Sequence, residues 1–153
     1  DISLWDSAVA ALVNQAHNAM ASGINPTPMG SAHPNLVPYR AFKASDGWFV
    51  IGVGSDNQWL KLVDALHLEG DEQWKTNEGR VNQRTAVEEC VGKAVAQLNR
   101  SKLESLLIDV PCAPVNTVLE ALNDPQSVAR GVVTQHKGVD VLASPLRFMK
   151  PSK

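Results

Sequence analysis

The stretch that decides the fold is Gly30–Gly54, GSAHPNLVPYRAFKASDGWFVIGVG. Within it, Tyr39–Lys43 and Trp48–Val53 are short runs of aromatic and β-branched residues, which favour β-strands. Asp46-Gly47 lies between these runs and is a hairpin-turn signal, because glycine accepts positive φ values without a Cβ clash. The segment therefore predicts a loop followed by two antiparallel strands.

The residues before this hairpin predict a helix and then an irregular segment. Apolar side chains recur at helical spacing from Ile2 to Met20, which predicts one helix over residues 3–21. Gly23 stands where a helix-ending glycine is expected. Residues 23–38 contain several prolines and glycines, a density that excludes regular structure and indicates a linker or a functional loop.

The residues after the hairpin predict helices, a short strand and a second hairpin. Ser55-Asp56-Asn57 predicts the cap of a helix with Trp59 on its apolar side. The further predicted elements are helices Val81–Leu98, Lys102–Ile108 and Thr117–Leu122, a strand Ala113–Val115, a turn Gln126–Ala129, and a hairpin of Val132–Lys137 with Val139–Leu142. The valines of the longest helix form one stripe, Val87, Val91 and Val95, with Leu98. This order predicts an α+β fold of several helices with short antiparallel hairpins.

Composition excludes several classes of function. The chain has 153 residues, which suits one domain, and a net charge of -2. That charge predicts no nucleic-acid partner, and no apolar run approaches the roughly 18 residues that would predict a membrane span. The two cysteines, Cys90 and Cys112, make no disulfide framework and have no partner at metal-ligand spacing. They predict thiols in a reducing cytosol, hence a cytoplasmic protein without a metal site.

Few side chains suggest chemistry by themselves. Gly52-Val53-Gly54 lacks the third glycine of a dinucleotide-binding loop, so nucleotide binding is not expected. His33 lies in the loop and could act near neutral pH, but no second catalytic group lies near it in sequence. Cys112 lies between prolines without a visible base, and Glu88-Glu89 is expected on an exposed helix face. The residues alone assemble no catalytic site.

Several short motifs, however, occur in a fixed order along the chain. They are Asp1–Ala8 (DISLWDSA), Gly30–Pro34 followed by Val37-Pro38-Tyr39, Phe42 and Asp46-Gly47, then Asn57-Gln58-Trp59 with Leu62, Asn77 with Gly79-Arg80 and Asn82, Val110–Val115 (VPCAPV), Glu120-Ala121 with Asp124–Gln126 and Ala129–Gly131, and finally Ser144–Leu146 with Phe148. Each motif is weak alone, but together they resemble the family III CoA-transferases, the CaiB/BaiF family.

The resemblance implies an enzyme that moves CoA between an acyl-CoA thioester and a carboxylic acid acceptor. In that family, a catalytic aspartate attacks the thioester and an aspartyl-CoA thioester follows, so the reaction is covalent catalysis. CoA thioester is therefore a substrate, and no tightly bound cofactor is implied. The aspartate precedes the matched region, and Asp1, Asp6 and Asp46 do not match it. No catalytic residue is thus expected in this chain, and the full-length protein is expected to form an interlocked homodimer.

The resemblance also divides the chain. Residues 1–23 match a helix that connects from a large domain, residues 24–145 match the small α+β domain, and residues 146–153 match a return linker. The chain begins without Met or a signal-peptide pattern and ends without a terminal element, so a fragment of a longer protein is expected.

In relatives that use formyl-CoA, a glycine run covers the active site and shields the intermediates. The matching positions imply a substrate-covering loop of Gly30, Ser31, Ala32, His33 and Pro34. Only Gly30 of the glycine run is kept here, which argues against formyl-CoA as substrate. Two alternatives remain: an α-methylacyl-CoA racemase of the same fold, and a stand-alone binding module without catalytic activity.

Overall fold

A computed structural model describes residues 1–146 of the chain, and within that range the fold is α+β, as predicted. The helices are α1 Leu4–Ala10, α2 Val13–Ser22, α3 Asp56–Leu66, the 3-10 helix Glu72–Lys75, α4 Asn77–Asn82, α5 Arg84–Ala96, α6 Arg100–Leu106, α7 Val118–Asn123 and α8 Pro125–Arg130. The strands are β1 Tyr39–Lys43, β2 Trp48–Gly52, β3 Cys112–Pro114, β4 Val133–His136 and β5 Val139–Leu142.

Residues 147–153 of the predicted return linker, with Phe148 of the last motif, lie outside the described residues. No helix within residues 1–146 is long and apolar enough to cross a membrane.

Both predicted hairpins form, and the first is extended into a three-stranded sheet. β1 and β2 pair antiparallel from Tyr39 opposite Gly52 to Lys43 opposite Trp48. The turn between them is closed by a 2.8 Å hydrogen bond from the Ala44 N–H to the Gly47 carbonyl. β3 then adds antiparallel to the other edge of β2, giving the order β1-β2-β3. A strand near Ala113 was predicted, but its partner was not, because the pairing spans a long stretch of intervening helices.

Two of the predicted helices are each divided in the structure. The single helix predicted over residues 3–21 is two helices, α1 and α2, because Val13 has φ +34°, which a right-handed helix cannot continue. The helix predicted over Val81–Leu98 is likewise divided between two helices, α4 and α5. The division is at Gln83, whose φ of -111° and ψ of 29° are not those of an α-helix. The turn predicted at Gln126–Ala129 is the short helix α8, which starts with Pro125 and has the Asp124 side chain as its cap.

The core lies between the sheet and helices α3, α5 and α6. Val87, Val91 and Val95 of α5 are fully buried, as their spacing predicted, and Leu98 packs partly buried against the same cluster. Phe49 and Ile51 of β2 are buried from the sheet side. Burying each such side chain contributes about 1.5–3 kcal/mol to folding, so this contact holds the helices on the sheet.

An ion pair connects the core to the segment from α7 to β5. The Thr117 side chain caps α7, and Glu120 completes a capping box by accepting from the Thr117 N–H. The same carboxylate accepts a 2.9 Å hydrogen bond from Arg100 Nη2 at the start of α6. The backbone N–H of Arg100 donates to Asp46 in the β1–β2 turn. Arg100 therefore connects the first hairpin, α6 and α7.

This ion pair predicts an acid-sensitive contribution to stability. The hydrogen bond from Arg100, followed by those from Thr117, lowers the pKa of Glu120 from 4.5 to about 2. Because the folded-state pKa is the lower one, ionised Glu120 stabilises the fold above pH 4.5, and this is lost as the pH falls towards 2. We expect Glu120→Gln, which retains the cap, to be less stable than the wild type near neutral pH in urea unfolding. The two proteins should converge across that acidic window, and a difference that stays constant with pH would contradict the assignment.

Candidate functional site

The predicted substrate-covering loop folds back onto strand β1. Gly30 has φ +61° and starts the turn. The Ser31 hydroxyl accepts from the Ala41 N–H at 3.0 Å, and the His33 N–H donates to the Tyr39 carbonyl at 2.9 Å. The ring centroids of His33 and Tyr39 lie 5.4 Å apart. The loop is therefore paired with the strand that follows it.

Side chains of α4 and α5 hold the next part of the loop. Asn77 donates from Nδ2 to the Asn35 carbonyl at 2.9 Å and accepts from the Val37 N–H at 3.3 Å. Arg84 donates from Nη2 to the Pro34 carbonyl at 2.7 Å. A loop without a strand partner must find other partners for its backbone groups, and these two side chains supply them.

Arg80 is the centre of this arrangement and is fully buried, with 0% exposure. Its Nε donates to the Val37 carbonyl at 2.7 Å and its Nη1 to the Trp74 carbonyl at 2.8 Å. Its Nη2 forms an ion pair with Asp56 at 2.9 Å, and the guanidinium lies 5.2 Å from the centroid of the Trp59 ring. A buried charge is tolerated only when it is paired and hydrogen-bonded, and each nitrogen of this side chain is.

Glu88 supports the loop indirectly, through Arg84. It is largely buried, whereas the sequence predicted an exposed residue. Its side chain is 11% exposed and pairs with both Arg84 Nη1 at 3.1 Å and Arg40 Nη1 at 2.5 Å. Glu88 thereby orients Arg84 towards the loop. The expectation was wrong because α5 passes under the loop and β1, so this turn of the helix does not face solvent, whereas neighbouring Glu89 does.

A cleft of about 330 Å³ separates the loop from the junction of α1 and α2. Ser31, Ala32, His33 and Pro34 line one side of this cleft together with Tyr39. The residues from Ala11 to Gln15 line the other side. Gly30 does not line it, so the structure brings four of the five predicted loop residues to one surface. Whether this surface covers a substrate stays a prediction.

The glycines at the end of β2 and after it do not form a phosphate-binding loop. The Gly52 N–H donates to the Pro111 carbonyl and the Val53 N–H to the Pro38 carbonyl. The Gly54 N–H donates to Gln58 Oε1 at 2.7 Å. Because all three donors are used within the protein, none is available to a phosphate.

Neither cysteine has the environment of a nucleophile. Cys112 lines a second cleft, of about 530 Å³, between α6 and the start of α3. Burial, and next the Glu104 carboxylate, raise the pKa of its thiol. Burial likewise raises the pKa of Cys90. Both effects disfavour the thiolate, the reactive form. No group of three or more histidine, cysteine or acidic residues within residues 1–146 is placed to hold a metal ion.

The three acids that the motif comparison considered lie in ordinary surroundings. Asp1 and Asp6 are exposed at the start of the chain, and Asp46 accepts from the Arg100 backbone in the hairpin turn. Asp56, which belongs to the predicted helix cap, is 54% exposed in its side chain and is the ionic partner of Arg80.

Sequence reasoning missed the group of side chains that hold the loop. Asn77 and Arg80 lie three residues apart in α4, on one side of that helix, and Arg84 begins α5. Gly79 is part of the same signal, since a Cβ there would lie 1.7 Å from the Gln73 carbonyl oxygen. The sequence analysis noted Asn77 and Arg80 as a motif, but the loop backbone groups that these side chains bind lie about forty residues earlier in the chain.

The burial of Arg80 predicts unequal effects for the two members of its ion pair. Arg80→Met leaves the Val37 and Trp74 carbonyls without donors, and we expect a loss of about 3 kcal/mol or more in the free energy of unfolding. Asp56→Asn is the matched control, because its carbonyl oxygen still accepts and the site is half exposed, so about 1 kcal/mol or less is expected. Urea unfolding measures both, and equal losses would contradict the assignment of Arg80 as the buried anchor.

Comparison with known proteins agrees with the motifs. A model of CoA-transferase family III matches residues 1–152. The succinate–glutarate CoA-transferase of Agrobacterium fabrum is 31% identical, over 99% of this chain and 42% of that protein. The succinyl-CoA:glutarate CoA-transferase of Homo sapiens is 30% identical, over 100% of this chain and 36% of that protein. The crystal structure of a CaiB/BaiF family protein from Brucella suis superposes with a TM-score of 0.79 at 42% identity, over 91% of this chain and 38% of that one.

The matched proteins are much longer than this chain. It spans well under half the length of these relatives, 42% and 36% of the two CoA-transferases. The family model nevertheless covers almost every residue, and the order of motifs, the α+β fold and the solved structure agree with it. This chain therefore belongs to CoA-transferase family III.

Proposed function

We propose that this chain supplies the small domain of an enzyme that transfers CoA from an acyl-CoA thioester to a carboxylic acid. The observation that carries the proposal is the family match over residues 1–152. The names of the relatives support it, since each describes CoA transfer. A racemase of the same fold gains no such support from them. Succinate and glutarate each carry two carboxyl groups, so the acid proposed for this enzyme is a dicarboxylic acid.

The catalytic residue of this proposal is an aspartate outside the chain. Its carboxylate attacks the thioester carbonyl and expels CoA thiolate, which leaves a mixed anhydride. The thiolate then attacks the aspartyl carbonyl, releasing the donor acid and forming an aspartyl-CoA thioester. The acceptor carboxylate attacks that thioester and expels CoA thiolate, which leaves a second mixed anhydride. The thiolate then attacks the acceptor carbonyl, which forms the new acyl-CoA and releases the aspartate carboxylate. The anhydrides hydrolyse easily, so a loop that excludes water is a fitting role for residues 30–34.

The proposed division of the chain is residues 1–23 as the connection to a large domain, residues 24–145 as the small domain and residues 146–153 as the return linker. Residues 1–23 support this division, because their helices α1 and α2 bury no residue within the described chain. Trp5 is 77% exposed and Met20 76%. Such apolar side chains are the expected contact surface for the rest of an interlocked homodimer.

The proposal predicts that catalysis needs the complete polypeptide. The 153-residue chain, mixed with succinyl-CoA and glutarate, is expected to form no glutaryl-CoA, whereas the product of the complete gene should form it. Hydroxylamine converts an aspartyl thioester into a hydroxamate, so mass spectrometry of the treated enzyme identifies the reacting residue. Transfer by the short chain would contradict the proposal, because the nucleophile would then lie within residues 1–153. A complete protein without transfer would favour a binding module.

Substitutions of two glycines, Gly30 in the loop and Gly23 outside it, test whether the loop takes part in catalysis. Gly30 has φ +61° and Gly23 has φ +70°, and a Cβ at either position would have no neighbouring atom within 4 Å. Valine at either position adopts a left-handed backbone at a cost of about 1–2 kcal/mol. We therefore expect similar losses of stability from Gly30→Val and Gly23→Val in the complete enzyme, but a lower kcat only from Gly30→Val. Equal kcat values in the two variants would leave the loop without a catalytic role.

A further inference from the structure

We propose that the cleft between the loop and the α1–α2 junction binds the carboxylate of the dicarboxylic acid that does not react, and that His33 donates the orienting hydrogen bond. This inference rests on the proposed function, because it assigns a residue to one end of that enzyme's substrate. The carboxylate would lie between two walls, one formed by the loop and the other by residues 11–15.

The structure fixes which nitrogen of His33 can donate. The Asn35 N–H donates to His33 Nδ1 at 3.0 Å, so Nδ1 carries no proton. Nε2 is therefore the ring nitrogen that is left to donate. Within residues 1–146, Nε2 has no hydrogen-bond partner, although His33 lines the cleft. His33 thus offers a donor at a known atom.

The position of that donor is held on both sides. The His33 N–H is bonded to the Tyr39 carbonyl, and the next residue, Pro34, is held through its carbonyl by Arg84. Asn35 is held by Asn77 and also donates from its side chain to Asn18 of α2 at 3.2 Å. A donor that is already oriented loses little conformational entropy when a ligand binds, which favours recognition of a defined group.

The opposite wall is formed where α1 ends and α2 begins. Val13 in that wall has φ +34°, an outlier for a β-branched residue. Residues in such sparsely populated conformations concentrate at ligand sites and switches, where the surrounding structure maintains them. Asn14 and Gln15, which follow Val13, line the same wall, and both are residues with an amide side chain.

The side chains that line the cleft indicate what kind of group it binds. No charged side chain is among them, and the polar ones are Asn14, Gln15, Ser31, His33 and Tyr39. Neither a cation nor an anion therefore finds a counter-charge there, and the N–H and O–H donors of these side chains are what favours a carboxylate. A ligand without that carboxylate leaves the donors unpaired, which is the basis for discrimination between a dicarboxylic and a monocarboxylic acid.

Binding to the chain itself tests the inference without relying on catalysis. The 153-residue chain with 15N-labelled histidine is titrated with glutarate, and with glutaramide, in which both carboxylates are replaced by neutral amides, at ionic strength matched by sodium chloride. We expect glutarate to shift the Nε2 resonance of His33 saturably and to bind about tenfold or more tightly than glutaramide. Equal affinities, or no saturable shift, would overturn the inference.

Two variants of His33 distinguish the loss of the donor from a loss of folding. His33→Leu removes the donor and should lower glutarate affinity to that of glutaramide, while His33→Gln provides an amide N–H and should restore part of it. Backbone amide spectra of helices α3 to α6 verify that each variant is folded. A His33→Leu variant that is folded and binds glutarate as the wild type does would assign the cleft to another role.

Kinetics of the complete enzyme distinguish this inference from the function on which it rests. If CoA transfer occurs, His33→Leu should raise KM for glutarate about tenfold relative to KM for butyrate, with a smaller change in kcat. An unchanged ratio of the two KM values would overturn the carboxylate site but leave the proposed function intact. Glutarate binding to the chain without any CoA transfer by the complete enzyme would reject the function and retain the site.

Discussion

The buried guanidinium of Arg80 is the constraint on which the rest of this structure depends. Its partners belong to three segments that are separate in sequence: Val37 in the loop, Trp74 in the 3-10 helix and Asp56 at the start of α3. A charge at 0% exposure is costly unless all of its donors are used. The three segments must therefore assemble together, and Gly79 allows the close approach that lets them do so.

The loop is consequently hydrogen-bonded to the rest of the fold from Ser31 onwards. Loops that carry functional residues are most effective when a scaffold fixes them, and here the scaffold includes α4 and α5. Asn77, Arg80 and Arg84 replace the strand partner that the loop backbone lacks after His33. Glu88 in turn holds Arg84. Binding to a surface arranged in this way requires little reorganisation.

The two ends of the described chain differ from this core. α1 and α2 bury no residue, and every residue of β4 and β5 is exposed. Apolar side chains such as Trp5 and Leu142 are thereby left at the surface. In the proposed enzyme these are the surfaces that the remaining polypeptide covers, whereas the cleft beside His33 lies where the first of them meets the core.

The sequence by itself determined the local elements and the family. Hairpin turns, helix caps and the valine stripe of α5 depend on neighbouring residues, so patterns such as Asp46-Gly47 and Ser55 were sufficient to predict them. The order of motifs was likewise readable without coordinates. Tertiary structure alone decided the third strand of the sheet, the break at Val13, the burial of Glu88 and the anchoring of the loop by Arg80. Each of these depends on contacts between segments far apart in the chain, where long-range packing and the cost of burying unpaired charge outweigh local preference.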